Sequence, residues 1–310
     1  MNEIPDFLDT GRPDVPDLIV PRGVTPFTLA DAPVHGRLVR LGPLAEALLA
    51  RHGHPAAVSR LAGEALALVA CLAGGLKFRG SFSLHARGDG PLRTLVADCT
   101  DTGALRFYAA LAREVPAIAA APLSARDLLG EGHIAFTIDQ GAEIDRHQGI
   151  VATTGETLAD MAGHYYATSA QLAASIHLAC AAGAGGWRAG GLILERIAAR
   201  PGADAASDEE GWRTATILAA TLSDEELLDD GLAPETLLHR LFETVGLHVG
   251  RPRALAFGCR CSRARLAAIL EGFPANDLDD MAVGGDIVMT CEFCAVDFRF
   301  PRAALRSREA

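Results

Sequence analysis

Apolar residues recur at helical spacing over one long stretch of this chain, Leu61, Ala65, Leu68, Val69 and Leu72, and the pattern predicts a largely buried helix over residues 55–76. Around it the pattern is mostly that of strands. Residues 27–30 and 36–41 read as short strands, followed by a helix over 43–51. Residues 80–88 and 92–99 flank Asp89-Gly90-Pro91, and Asp-Gly supplies the turn of an antiparallel hairpin. Residues 105–109 and 133–139 extend the strand content. Thr154-Gly155-Glu156-Thr157 opens a helix running to about 172 that carries Tyr165 and Tyr166. Residues 174–180 and 189–197 then read as a further hairpin around the turn Gly183-Ala184-Gly185-Gly186.

The pattern changes at Pro201-Gly202-Ala203-Asp204. Residues 204–230 hold nine acidic side chains against the single base Arg213. Ser207 with Glu210 and Ser223 with Glu226 have capping-box spacing, so the stretch is expected to be helical rather than a loose tether. Pro234 starts a third helix over 235–245, closed by Gly246. Isolated helices this short are marginal in water, and these need a surface to lie on.

At 310 residues the chain exceeds the usual size of one core, which favours a large domain with a smaller module. A formal net charge of −11 argues against nucleic acid as the main partner, because phosphate neutralisation supplies most of that affinity. Nearly all the positive charge is arginine, Lys77 being the only lysine. The first residues carry Glu3, Asp6, Asp9, Asp14 and Asp17 with no basic region ahead of an apolar stretch, which does not read as a signal peptide. The best apolar run, residues 61–76, is interrupted by Glu64 and is shorter than the roughly 20 residues a bilayer span needs, so no membrane segment is expected. A cytoplasmic location follows as the default expectation. There stable disulfides are rare, and the seven cysteines should be free, metal-bound or redox-active.

Four of those cysteines form two close pairs, Cys259-Arg260-Cys261 and Cys291-Glu292-Phe293-Cys294. Thiols this close in sequence can occupy two corners of a tetrahedron, and two such pairs read as a four-thiolate zinc site. Arg260, Arg263 and Arg265 offset the charge left when four thiolates meet one divalent ion. A helix over 262–271 and an extended segment over 286–290 lie between the pairs. One reading is a closed structural zinc that holds a small module together. Another is a switch, because the thiolate is the form that oxidants attack and oxidation would discard both the metal and the module's folding energy. A disulfide across C-x-C closes a very small ring and should be strained and easily reduced again.

Cys71, Cys99 and Cys180 fall in apolar stretches and read as buried structural thiols. No H-E-x-x-H, phosphate loop or nucleophile elbow is present, His164 beside the tyrosines reads as a packed or solvated helix residue, and no enzyme chemistry is expected. A thiol-disulfide oxidoreductase would need a strand–C-x-x-C–helix context that is lacking. The fold class is thus α+β. An N-terminal mixed α/β core with an antiparallel sheet spans residues 1–200, a helical linker 201–258, and a small C-terminal zinc-binding domain 259–310.

At Phe257-Gly258-Cys259-Arg260-Cys261-Ser262-Arg263 and Thr290-Cys291-Glu292-Phe293-Cys294 the chain strongly resembles the redox-regulated heat-shock chaperones called thirty-three-kilodalton chaperonins. The likeness extends through Gly63-Glu64-Ala65, Leu76-Lys77-Phe78 with Gly80-Ser81, Gly88-Asp89-Gly90-Pro91, Gly149-Ile150 with Thr154-Gly155-Glu156, and Ala189-Gly190-Gly191-Leu192. One departure is Ser169-Ala170-Gln171, where the family often has Ser-Glu-Gln.

The resemblance implies an ATP-independent holdase, inactive when reduced and zinc-bound. Oxidation then pairs Cys259 with Cys261 and Cys291 with Cys294, zinc leaves, the linker loosens, and a homodimer holds unfolding client proteins under oxidative stress. The core would carry client binding and dimerisation, with neither nucleic acid nor membrane as partner. The alternative is a structural-zinc protein whose core binds a small molecule or a protein partner.

Overall fold

The first strand is long, β1 (Ile19–Leu29), with its apolar residues Val24, Phe27 and Leu29 buried, and it turns through Ala30–Pro33 into β2 (Val34–Arg40). The computed structural model describes residues 18–76, 78–112, 123–140, 147–198 and 204–305. The acidic N-terminal stretch to Asp17, Lys77 and the junction Pro201-Gly202-Ala203 lie outside these residues. The chain divides into two units, Leu18–Phe257 and the segment from Gly258 onward.

In the first unit, α1 (Pro43–Leu49) and α2 (Ala56–Gly75) follow β2. The hairpin β3 (Ser81–Gly88) and β4 (Leu92–Thr100) comes next, then β5 (Ala104–Leu111), α3 (Ala125–Leu129), β6 (Gly132–Asp139) and β7 (His147–Ala152). Thr157 and Asp160 form a capping box that starts α4 (Leu158–Tyr165), which runs into a π-turn, Tyr166–Ala170, ending at Gln171 with φ 55°. The second hairpin is β8 (Ala174–Gly183) with β9 (Gly186–Arg196).

The linker follows as α5 (Ala205–Ala219), α6 (Asp224–Leu228) and α7 (Pro234–Phe242). Ser223 and Glu226 form the expected capping box. The first box is different: Asp204 caps α5 by accepting from Ser207 N–H, and Glu210 pairs with Arg213 instead. Asp204 lies three residues earlier and is an equally good cap, so the helix starts sooner.

The linker stretch is not helical throughout. Its last part is extended, as β10 (Leu247–Val249) and β11 (Arg253–Phe257), and both join the sheet of the first unit. Runs of three to five residues carry too little periodicity to separate strand from helix. The sheet order is β7-β6-β3-β4-β5-β11-β1-β2-β9-β8, with β10 beside β1. Its pairings are antiparallel except β11 with β5, which is parallel. Thus β11, reached only after the linker, joins the two halves of the sheet.

Adjacent strand residues point to opposite faces, and β9 shows what covers each. A Cβ at Gly190 would meet Leu227 of α6, while one at Gly191 would meet Cys71 of α2. The sheet therefore lies between the core helix and the linker helices. α2 has the length and apolarity to cross a membrane, yet most of it is buried inside its own unit. Its contact with β8 is tight: a Cβ at Gly63 would stand 2.3 Å from Cys180 Sγ, so only glycine fits there. In the second unit α8 (Arg263–Leu270), α9 (Ala275–Met281) and the hairpin β12 (Asp286–Thr290) with β13 (Asp297–Pro301) surround the cysteine pairs.

Candidate metal centre and linker interface

Cys259 and Cys261 follow β11 after Gly258, and Ser262 then caps α8 by accepting from Arg265 N–H. Cys291 leaves β12 and Cys294 precedes β13. The turn between them is held by Cys294 N–H and Ala295 N–H, which both donate to the Cys291 carbonyl, and by Cys291 N–H donating to Val296 O at 2.9 Å. Phe298 and Phe300 of β13 are buried, and the Arg263 guanidinium lies 4.6 Å from the Phe300 ring centroid. This apolar and cationic packing compensates for the small size of the unit.

The fold gathers all four sulfurs. Cys259 Sγ lies 3.3 Å from Cys261 Sγ and 3.6 Å from Cys291 Sγ, and Cys261 Sγ lies 3.6 Å from Cys294 Sγ. All four ligand atoms fall within 4.8 Å of one another, and all four residues are buried free thiols. Four thiolates about 2.3 Å from a common zinc would stand about 3.8 Å apart, so the cage has the size and donor chemistry for one metal ion.

Hydrogen bonds within the cage pull the Cys259 and Cys291 thiols below their ordinary range, through Cys261 and Cys259 respectively. The bond with Cys259 is also the main cause that holds Cys261 and Cys294 up. Four thiolates packed this closely repel one another, and a cation between them removes that cost.

The remaining thiols are different in kind. Burial pushes Cys71 up to about 12 and Cys180 higher still, so both stay protonated and inert. Cys99 is buried as well. His164 is exposed, while Tyr165 packs on Phe136 and the buried Tyr166 hydroxyl donates to Glu195.

The linker covers an apolar face formed by Phe27, Leu29, Val34, Leu38, Leu192 and Leu194. Onto it pack Ala215, Ala219, Leu227, Leu237, Leu238, Leu241 and Phe242, with the Phe27 and Phe242 rings stacked at 5.2 Å. Core arginines meet linker acids at the rim: Arg188 pairs with Asp230 at 2.6 Å, Arg196 with Glu209 at 2.7 Å, and Arg22 with Glu235. Arg40, buried on β2, donates to the carbonyls of Glu226, Asp229 and Leu232. A cavity of about 210 Å³ between core and linker is lined by Glu64, Thr157, His177, Asp224 and Leu227, among others. Burial, with Asp224 adding to it, raises Glu64 to about 7. Neither Arg40 nor the Glu64–Asp224 pair carries a motif in the sequence. The one local signal is the acidic bias of residues 204–230, which calls for basic partners without saying which ones.

A sheet covered by short acidic helices, followed by a separate four-thiol cage, defines a two-unit α+β protein with a cysteine cluster in its C-terminal unit that could hold a metal ion. The chain belongs to the Hsp33 protein family, whose model matches residues 23–301. Among curated proteins, the 33 kDa chaperonin of Caulobacter vibrioides is 37% identical over 282 residues, covering 88% of this chain and 92% of that one. The 33 kDa chaperonin of Pseudomonas fluorescens is 36% identical, covering 89% and 90%. A solved structure, the 33 kDa chaperonin (heat shock protein 33 homolog) of Thermotoga maritima, superposes with a TM-score of 0.75 at 20% identity, covering 91% of this chain and 96% of that one. At that identity the likeness speaks for the fold. The family is one of chaperones rather than of enzymes, and membership supports that class for this chain.

Proposed function

We propose that this chain is an ATP-independent holdase gated by the oxidation state of Cys259, Cys261, Cys291 and Cys294. In the reduced state these four residues would hold one zinc ion. Zinc, when bound, keeps the sulfurs as thiolates and supplies folding energy to the small unit. The observation that carries this reading is the four-thiol cage, buried, free of disulfides and spaced for a tetrahedral metal.

Within each pair, Cys259 with Cys261 and Cys291 with Cys294, the two thiolates give two electrons to one peroxide, which takes two protons from solvent and departs as two waters while one S–S bond forms. The four donors are then gone and the small unit loses its organising centre. The linker helices, marginal alone, leave the sheet, and the face containing Phe27, Leu38 and Leu194 becomes available to unfolding proteins. The oxidised chain pairs with a second copy, and the setting is the cytoplasm under oxidative stress.

The test is to oxidise metal-loaded protein with peroxide under mild heating while following zinc, free thiols and the light scattering of an unfolding client. One zinc per chain should leave as aggregation becomes suppressed. Zinc release without suppression refutes the holdase. Alanine at Cys259 or Cys291 that unfolds the tail, with no oxidant-dependent gain in activity, would favour a purely structural metal.

A further inference from the structure

Between the last turn of the linker and the first cysteine pair, the chain runs along one edge of β1. Leu247, His248 and Val249 stand opposite Leu29, Thr28 and Phe27. Arg253, Leu255 and Ala256 then stand opposite Val24, Val20 and Ile19. Both pairings are antiparallel, so β10 and β11 form one interrupted strap over residues 247–257, broken at Gly250-Arg251-Pro252 and by a shift of register between Val20 and Val24. Main-chain bonds seat it: Gly250 N–H donates to Pro26 O at 2.7 Å, and Phe257 N–H to Leu18 O at 3.1 Å. On its far side Ala256 and Phe257 pair with β5.

The strap is short, irregular in register, and tethered at both ends to what the proposed switch loosens. The linker helices precede it, and Cys259 follows Phe257 with Gly258 alone between. A strand edge that loses its partner presents a row of free N–H and C=O groups, which recruits another extended chain. What fits the edge is written in its present occupant. The strap is extended, carries Leu247, Val249, Leu255 and Phe257, and has no acidic residue.

We propose that the β1 edge beneath this strap is a docking edge for clients: an extended apolar segment of an unfolding protein adds there as a strand, and residues 247–257 are its built-in stand-in. This rests on the holdase reading, for which it supplies the binding mode. Main-chain recognition also explains how one surface takes unrelated sequences, because the hydrogen bonds do not depend on side chains.

Hydrogen exchange on the full chain is the experiment, joined to peptide competition. Oxidation should speed exchange of the β1 and 247–257 amides at least tenfold over the reduced, metal-loaded protein, and an unfolding client should restore protection to β1 but not to 247–257. A synthetic peptide of residues 247–257 should displace client from the oxidised protein. The same peptide N-methylated at Gly250 and Phe257 keeps its side chains but loses two donors, and should compete at least tenfold less well. Equal competition by both peptides would mean apolar adhesion and overturn the proposal. So would β1 protection that returns in oxidised protein alone as concentration rises, which assigns the edge to a second copy. Suppression of aggregation with β1 still protected sinks this inference alone, whereas no suppression at all sinks the holdase reading with it.

Discussion

Arg40 Nη1 donates to the carbonyl oxygen of Asp229 at 2.9 Å, which ties a core strand to the turn that ends α6. The same guanidinium reaches the carbonyls of Glu226 and Leu232. Helix ends leave carbonyls without intrahelical partners, and here one buried side chain serves three from a single point.

Replacing it should therefore open the linker without touching the cage. Arg40→Ala removes this donor from all three carbonyls, of which Asp229 O still accepts from Leu232 N–H, and should weaken linker docking by about 3 kcal/mol, the order of one or two hydrogen bonds to a charged group. The expected outcome is faster proteolysis within residues 204–245 and partial aggregation suppression in the reduced protein, at unchanged zinc content. Arg40→Lys should fall between. Wild-type proteolysis in Arg40→Ala would show that the rim and apolar contacts hold the linker alone.

The apolar face makes the same prediction by another route. Leu237, Leu238 and Leu241 are buried on α7, and Phe242 stacks on Phe27. Truncating Leu238 or Leu241 to alanine should cost about 2–5 kcal/mol and raise chaperone activity with the metal still bound. Light scattering on reduced, metal-loaded variants checks it. Variants that are folded but inactive would show that the linker is not the gate.

Glu64 should make the docked state sensitive to pH. Its folded pKa is raised to about 7, by burial first and with Asp224 adding, against the attraction of Arg60. An acid with a raised folded pKa binds more protons folded than unfolded, so stability falls as pH rises from about 4.5 to about 7 and is flat above. A shift of that size corresponds to on the order of 3 kcal/mol. Across the cavity His177 is lowered by burial, with Asp224 opposing, and acts in the opposite sense below its ordinary range. Glu64→Gln should remove the slope and be more stable than wild type at pH 8 in thermal melts. An unchanged slope would place the titration elsewhere.

Thiol counting separates the two classes of cysteine. In reduced protein stripped of metal by a chelator, Cys259, Cys261, Cys291 and Cys294 should react with a thiol reagent at neutral pH. Cys71, Cys99 and Cys180 should react only after denaturation, as buried thiols with raised or shielded sulfurs do. Fast labelling of Cys71 would contradict its placement under the sheet.

The sequence alone determined the parts whose signals are local. Helical spacing from Leu61 to Leu72 marked α2, Asp89-Gly90 marked the β3–β4 hairpin, and the paired thiols marked the cage. For the helix, the hairpin turn and each thiol pair, the residues that carry the signal lie close together in sequence, although the two pairs themselves are brought together from about thirty residues apart. The tertiary structure decided what depends on distant partners. It placed Arg40 of β2 against carbonyls nearly 190 residues away and set Glu64 across a cavity from Asp224. It also moved residues 253–257 out of the helical linker into the middle of the sheet, between β5 and β1. A five-residue run carries no period of its own strong enough to fix its conformation. The open edges left by β5 and β1 do so, because backbone donors and acceptors there need partners that only the returning chain supplies.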